Sequence, residues 1–165
     1  MITKEQLAAS MTRECDISLH LFTKLSPASY DYRPTEVQRT TLDLLRYLSI
    51  CGIGGIRSMS ERNWKLFGEL VTEAKEMPPE GFPAAMRKQK REIEEFFAST
   101  SEETLDTQDA PLMPSGTMPL GAAILNGPFK WLTAYKLQLF LYAKATGASD
   151  IGSANAWAGI DRKKP

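Results

Sequence analysis

The chain has 165 residues, of which 42% are apolar and 24% are charged. This balance is typical of a globular domain with a substantial core and argues against disorder. Lys and Arg together number 20, and so do Asp and Glu. The chain therefore lacks the basic excess with which nucleic-acid-binding proteins neutralise phosphates. We predict a single domain over residues 1–165 and no nucleic-acid partner.

The expected compartment follows from two absences in the sequence. The polar N-terminal residues do not resemble a secretion signal, and each apolar run is interrupted by Lys, Arg or Gln well before the roughly 20 residues that span a bilayer. Cys15 and Cys51 lie in apolar stretches without CxxC spacing, which favours buried free thiols. We predict a cytoplasmic protein with no membrane segment.

The first half of the chain contains two clear helical patterns. Thr3 and Gln6 form a capping box that opens a helix, and Ser26-Pro27 ends it. A second helix is predicted from the N-cap Thr35 to about Ser58. Near its end are glycines that indicate either a close backbone approach or early unwinding: Gly52, Gly54 and Gly55.

The middle of the chain carries shorter elements. The apolar residues between Trp64 and Val71 predict a short helix, which Met77-Pro78-Pro79 ends. Pro83 suits the first turn of the next helix, which continues over residues 84–98. Residues 101–118 are polar and show no periodicity, so we predict a long surface connection with room for a short extended piece.

The last part of the chain contains the strongest helical pattern. Thr117 is a candidate cap for a first helical piece, which Asn126-Gly127-Pro128 breaks or kinks. The main helix is predicted from Phe129 to about Thr146, ending at Gly147. The apolar tail residues are expected to dock back onto the bundle: Ala156, Trp157 and Ile160.

Four substantial helices joined by connections of unequal length predict an all-α four-helix bundle with a long crossover connection and short extra helices. The glycine cluster does not predict a phosphate loop, because it has no preceding strand and no Lys-Ser or Lys-Thr pair.

His20 is the single histidine of the chain, and Asp16 lies one helical turn before it. Asp16 could orient His20 for proton transfer, or it could simply satisfy a partly buried histidine; the second interpretation is favoured. A metal site built from His20, Asp16 and Cys51 is disfavoured, because zinc sites in proteins are usually richer in Cys and His. We predict no metal and no cofactor.

Trp131 and Tyr135 are four residues apart and therefore share one face of the last main helix. As packing residues they would belong to the bundle core. As functional residues they would line an internal cavity, in which the phenol provides a fixed hydrogen-bond donor. Core packing is the favoured interpretation, and a buried phenol would still need a hydrogen-bond partner.

Two segments resemble the DinB-like (DinB/YfiT) superfamily of bacterial four-helix proteins. Leu44-Leu45-Arg46-Tyr47-Leu48-Ser49 is similar to the second-helix pattern Leu-Leu-x-His-Leu of that family. The segment from Trp131 to Gly147 is similar to the last-helix pattern His-x-x-x-His-Arg-x-Gln-Leu, and it includes the pair Gln138-Leu139. Members with the complete pattern place three histidines around a divalent metal, often nickel or zinc, and some transfer low-molecular-weight thiols.

The resemblance places Tyr47, Trp131 and Tyr135 at the three ligand positions and Lys136 at the neighbouring arginine. Tyrosine seldom replaces imidazole on zinc or nickel, and tryptophan has no lone pair to offer. The resemblance therefore implies a degenerate metal site, replaced by a central aromatic pocket. Candidate neighbours of that pocket are Asp16, His20, Cys51 and Gln138.

We expect a protein without a metal that binds a small molecule or a protein partner through this pocket, with its catalytic residues unknown. The alternative is a metal- or thiol-dependent transferase or hydrolase that uses His20 or Cys51. A third possibility is a structural remnant that acts through a dimer surface. Homodimerisation is implied by the resemblance, and the last main helix carries more apolar side chains than one core face needs: Phe140, Leu141 and Tyr142.

Overall fold

The computed structural model describes residues 2–112, 114 and 116–162. It is mostly helical, and its helices are α1 (Lys4–Phe22), α2 (Thr41–Leu48), α3 (Cys51–Ser60), α4 (Lys65–Ala74), α5 (Phe82–Ser99), α6 (Glu102–Thr107), α7 (Leu120–Ile124), α8 (Lys130–Ala145) and α9 (Ser153–Ala158). Short 3₁₀ turns occupy Pro27–Ser29 and Pro79–Gly81. Two short strands, β1 (Asp109–Leu112) and β2 (Gly116–Pro119), pair antiparallel, with Ala110 opposite Met118.

The long helices form the predicted bundle. Helix α1 packs between α5 and α8, and the successive helices α2 and α3 pack against the same two helices. Because α1 and α2 are not close neighbours, residues 23–40 have to cross one end of the bundle. This arrangement confirms an all-α bundle with a long crossover connection. Among the described residues, no helix combines the length and the apolar character that a bilayer crossing requires.

Helix α1 begins as its sequence predicts. The Thr3 side chain accepts a hydrogen bond from the Gln6 backbone N–H, and the Gln6 side chain accepts one from the Thr3 backbone N–H. This reciprocal pair satisfies two donors at the helix start that would otherwise lack partners. One face of the helix is fully buried, through side chains such as Met11, Cys15 and Leu21.

The second helix begins later than predicted and is interrupted, so the prediction is wrong on both points. Helix α2 begins after the N-cap Thr40 rather than Thr35, and a break at residues 49–50 separates it from α3. The buried Gln89 of α5 bridges this break. Its Oε1 accepts from the Gly52 N–H at 2.8 Å, and its Nε2 donates to the Leu48 carbonyl at 3.0 Å. One amide thus satisfies both helix ends inside the core.

The glycines of α3 allow close helix approach, one of the two outcomes that the sequence predicts. A Cβ atom on Gly54 would lie 3.0 Å from Leu70 Cδ1, and one on Gly55 would lie 2.6 Å from Trp131 Cζ3. Real Cβ atoms essentially never approach other atoms as closely as that second distance. The missing side chains therefore let α4 and α8 pack directly on the backbone of α3.

Helices α7 and α8 are joined by a π-helical turn, Leu125–Phe129, so the predicted break at Pro128 is a local widening of one long helix. Proline has no N–H to donate, and the wider turn accommodates it without ending the helix. The prediction that Thr117 caps this helix is wrong. Thr117 lies in β2, and the position before α7 is Pro119, which provides no side-chain cap.

The C-terminal tail docks on the bundle, but not through all the residues predicted. Ala156 is buried, whereas Trp157 and Ile160 are 54% and 57% exposed. Helix α9 packs on α1 and α8 and ends at Gly159, whose φ of +66° is favoured by glycine. Docking depends mainly on polar contacts of α9, since only one of the three predicted apolar anchors is buried.

Candidate functional site

Five aromatic side chains from three helical segments converge beside α8. We call them the aromatic cluster: Tyr47 of α2, Trp64 and Phe67 at the start of α4, and Trp131 and Tyr135 of α8. The ring centroids of Tyr47 and Tyr135 are 4.8 Å apart, and those of Phe67 and Trp131 are 6.0 Å apart. Phe67 also lies 5.9 Å from Tyr47, so it links the tyrosine pair to Trp131.

Local sequence explains why these rings meet. The four-residue spacing of Trp131 and Tyr135 puts both on the face of α8 that packs on α2 and α3. Gly55 leaves the space that the Trp131 indole occupies, and Gly54 leaves the space for Phe67. The glycines of α3 are therefore part of the site, because any side chain there would displace a ring of the cluster.

Arg39, in the connection before α2, covers the tyrosine end of the cluster. Its guanidinium carbon lies 4.2 Å from the Tyr47 ring centroid and 5.3 Å from that of Tyr135. Such cation–π contacts contribute about 0.5–1 kcal/mol each at exposed sites. The Nη1 atom is 3.5 Å from the Tyr135 hydroxyl, which is a weak hydrogen bond at most. Arg39 itself is exposed.

Burial favours the neutral forms of the Tyr47 phenol and of the two thiols, Cys51 and Cys15. Burial, the neighbouring Cys51 thiol and the Tyr135 phenol raise the pKa of Tyr47 above its usual range. Cys51 lies one turn after Tyr47 and is fully buried, and burial raises the pKa of its thiol strongly. Burial likewise raises the pKa of Cys15 to about 12. Neither thiol is poised to form a thiolate near neutral pH.

Gln138 lies one turn after Tyr135 on α8 and is connected to Arg39 through Tyr142. Its amide donates to the Tyr142 hydroxyl at 2.6 Å, and that hydroxyl donates to the Arg39 carbonyl at 3.2 Å. Tyr142 is buried. This chain of hydrogen bonds fixes the backbone of Arg39, so Gln138 positions the arginine and does not touch the rings through a polar contact of its own.

Asp16 and His20 do not join the aromatic cluster, which corrects their predicted place in the pocket. Both oxygens of Asp16 accept from Lys90 Nζ at 2.8 Å. The predicted pairing of Asp16 with His20 is also wrong, because His20 Nε2 faces the Asn155 amide at 3.0 Å. Both residues lie on α1, which packs against α5, α8 and α9 rather than beside Tyr47.

The opposite face of α8 contains a buried ion pair that the sequence analysis missed. Lys136 is completely buried, and its Nζ lies 3.0 Å from Glu14 Oε2 and 2.8 Å from the Ala156 carbonyl. The Trp157 ring lies over the same ammonium group, 4.3 Å away. A lysine inside a largely apolar helix was the available signal, because a charge there needs a buried partner.

Arg39, Trp64 and Phe67 were also absent from the predicted pocket. The aromatic pair Trp64 and Phe67 could have been suspected from its helical spacing. No sequence signal identifies Arg39, since its position depends on the path of the loop. Among the described residues, no group of three His, Cys, Asp or Glu side chains is arranged to hold a metal ion.

A separate apolar groove lies where the start of α1 meets α6 and α7. It has a volume of about 520 Å³ and is lined by residues that include Leu7, Leu105, Ala122 and Leu125. None of the aromatic cluster lines it. This groove is therefore a distinct place where an apolar molecule could bind, and a binding experiment has to distinguish it from the cluster.

Comparison with known proteins identifies the architecture. No family model and no curated protein sequence matches the chain. Among solved structures, the crystal structure of a DinB-like protein from Bacillus subtilis, YjoA, at 2.30 Å resolution matches with a TM-score of 0.67. The two sequences are 17% identical, and the match covers 86% of this chain and 92% of that one. The chain therefore has the DinB-like fold.

Proposed function

We propose that the chain binds a small, flat, partly apolar organic molecule at the aromatic cluster, without a metal ion. The observation that carries this proposal is the convergence of five partly accessible rings, two of which lie under the Arg39 guanidinium. Flat apolar molecules bind by stacking on such rings, and nearby hydroxyl and indole groups fix their orientation.

The exposure of the rings favours a binding role over plain core packing. The buried core contains aliphatic residues and the rings of Phe82, Phe97 and Tyr142, whereas Tyr47, Phe67, Trp131 and Tyr135 are only partly buried and Trp64 is 37% exposed. Helix α4 has no buried residue at all. Its contact with α3 runs through partly buried side chains such as Phe67 and Leu70, so this face of the site stays accessible to a ligand.

The residues present do not fit the metal of histidine-bearing relatives. Tyr47, Trp131 and Tyr135 occupy the ligand positions that the resemblance assigns, and the chain has one histidine. Tyrosine seldom replaces imidazole on zinc or nickel, and tryptophan has no lone pair to offer a metal. We therefore interpret the cluster as a degenerate metal site, whose space is now filled with aromatic rings.

A thiol-dependent transferase is supported less well. Attack by a thiol requires the thiolate form and access to the substrate, and Cys51 is fully buried with a raised pKa. His20 contacts the C-terminal segment and not the cluster. No described contact brings either residue to the exposed side of the aromatic rings.

Homodimerisation and a cytoplasmic location remain part of the proposal. Of the side chains expected at a dimer face, Leu141 is 54% exposed and Phe140 is partly buried, whereas Tyr142 belongs to the core. We expect light scattering to give the mass of two protomers for the native chain and of one for Leu141→Lys. A monomeric native chain would contradict the dimer.

The binding proposal can be tested by ¹⁹F NMR with 5-fluorotryptophan in all three tryptophans. Trp64 and Trp131 belong to the cluster, whereas Trp157 lies over Lys136 on the other side of α8. Titration with 2-naphthamide is expected to shift the Trp64 and Trp131 resonances and leave Trp157 unchanged. Trp→Phe variants assign the signals.

Two outcomes would contradict the binding proposal. If 2-naphthamide binds by calorimetry but shifts none of the tryptophans, the apolar groove at Leu105 and Leu125 becomes the site and the proposal is wrong. Absence of any binding to 2-naphthamide and to related flat fragments also contradicts it.

A further inference from the structure

We propose that the ligand of the aromatic cluster carries an anionic group, a carboxylate or its equivalent, and that Arg39 recognises this group. The inference rests on the proposed function and adds the chemical class of the ligand and the residue that determines specificity. Among the described residues, the Arg39 guanidinium lies over two tyrosine rings and has no acidic partner within 4.0 Å.

One contact of the Arg39 side chain and one of its backbone place the guanidinium over the tyrosines. The face of its guanidinium lies 4.2 Å over the Tyr47 ring, and its backbone carbonyl is held by the Tyr142 hydroxyl. Side-chain ordering usually costs binding free energy when an arginine first meets its ligand. Here much of that ordering already exists in the folded chain, so the arginine is prepared to bind.

Among the described residues, the Arg39 charge has no acidic partner, and most of its N–H donors have no acceptor. Over residues 2–112, 114 and 116–162, no carboxylate lies within 4.0 Å of its guanidinium, so no ion pair compensates its charge. A guanidinium has five N–H donors, and only one approaches an acceptor, the Tyr135 hydroxyl at 3.5 Å. The remaining donors form an edge that matches a planar carboxylate.

The surroundings suit a ligand that is flat at one end and anionic at the other. The raised pKa of Tyr47 keeps the phenol beneath the guanidinium neutral, so it does not repel an anion. From Tyr47 the rings continue through Phe67 to Trp131 and Trp64. An aromatic acid would place its carboxylate at Arg39 and its ring along this row.

Calorimetry with two matched probes, 2-naphthoate and 2-naphthamide, tests the inference, because the probes share their ring and shape and differ at the group that would meet Arg39: an anionic carboxylate in one and a neutral amide in the other. The native chain is expected to bind 2-naphthoate about tenfold more tightly at low ionic strength, as one charge-assisted pair provides. Arg39→Gln is expected to remove that preference and leave the affinity for 2-naphthamide nearly unchanged. Arg33→Gln, a neighbouring exposed arginine of the same connection, is the matched control and should keep the preference.

The failures are distinguishable. If 2-naphthamide binds at the cluster but the native chain shows no preference for 2-naphthoate, the anionic ligand is wrong and the proposed function stands. Equal losses for both probes in Arg39→Gln would also overturn the role of Arg39 in recognising charge. If neither probe binds, both the proposed function and this inference fail.

Discussion

The two sides of α8 differ in whether their charged side chains are buried and paired. The side facing α2 holds partly exposed rings and Arg39, which has no acidic partner among the described residues. The side facing α1 holds the Lys136–Glu14 ion pair, in which Lys136 is completely buried and Glu14 is 12% exposed. Helix α9 seals the second side through the Ala156 carbonyl. The aromatic side is covered instead by Arg39 and by the start of α4, a helix with no buried residue.

This difference separates a structural region from a candidate binding region. A buried charge needs its partner at all times, so the α1 side tolerates little motion. The aromatic side has unused donors and accessible ring faces, which are the properties of a surface that binds something. The substitutions below test this separation, in order of decreasing expected effect.

Lys136→Met should produce the largest loss of stability. It leaves the Glu14 carboxylate buried without its cation and removes the donor to the Ala156 carbonyl. Breaking a buried pair in this way costs about 3–5 kcal/mol. Urea unfolding measures the change, and 2-naphthamide affinity should change little while the chain is folded.

Two companion variants make the Lys136 prediction sharper. Lys130→Met, an exposed lysine of the same helix, should change the unfolding free energy only slightly. The double variant Glu14→Leu/Lys136→Met removes both charges and should recover most of the loss. A single Lys136→Met variant as stable as the native chain would show that the pair is not buried.

Gly55→Ala should disturb the aromatic side at a smaller cost. The new Cβ would lie 2.6 Å from Trp131 Cζ3 and 2.8 Å from Pro128 Cγ, so the indole has to move. Overpacking of this kind typically costs about 1–3 kcal/mol. We expect weaker 2-naphthamide binding and a shifted Trp131 resonance. Gly68→Ala, which meets nothing within 4 Å, is the matched control and should preserve both.

The smallest expected change in stability concerns His20 of α1, which contacts Asn155 of α9. Burial and the nearby Lys24 lower the pKa of His20 below its ordinary value of 6.5, against the opposing charge of Asp161. The unfolded chain therefore binds more protons than the folded chain below about pH 6.5, and stability falls as the pH falls through this range. Asn155 Nδ2 faces the same His20 nitrogen at 3.0 Å, which favours its unprotonated form.

Thermal unfolding between pH 7.5 and pH 5.5 measures the His20 contribution as a difference between the native chain and His20→Gln. The native chain should lose more stability than the variant on acidification. An identical pH dependence for both proteins would exclude His20 from the docking of α9.

The sequence was sufficient for the bundle and for part of the site. The capping box of α1 and the spacing of Trp131 and Tyr135 are local signals, and local signals survive folding. The break between α2 and α3 was not predictable, because it depends on Gln89, which arrives from α5 about 40 residues later. Arg39 was missed for the same reason, since the crossover path brings it over Tyr47.

The proposed function requires that the aromatic cluster binds its ligand without a metal. Calorimetry of untagged protein with 2-naphthamide before and after treatment with EDTA tests this requirement, with metal content counted by elemental mass spectrometry. We expect no stoichiometric metal and the same affinity in both samples. One tightly bound metal equivalent, with binding lost as that metal is removed, would contradict it.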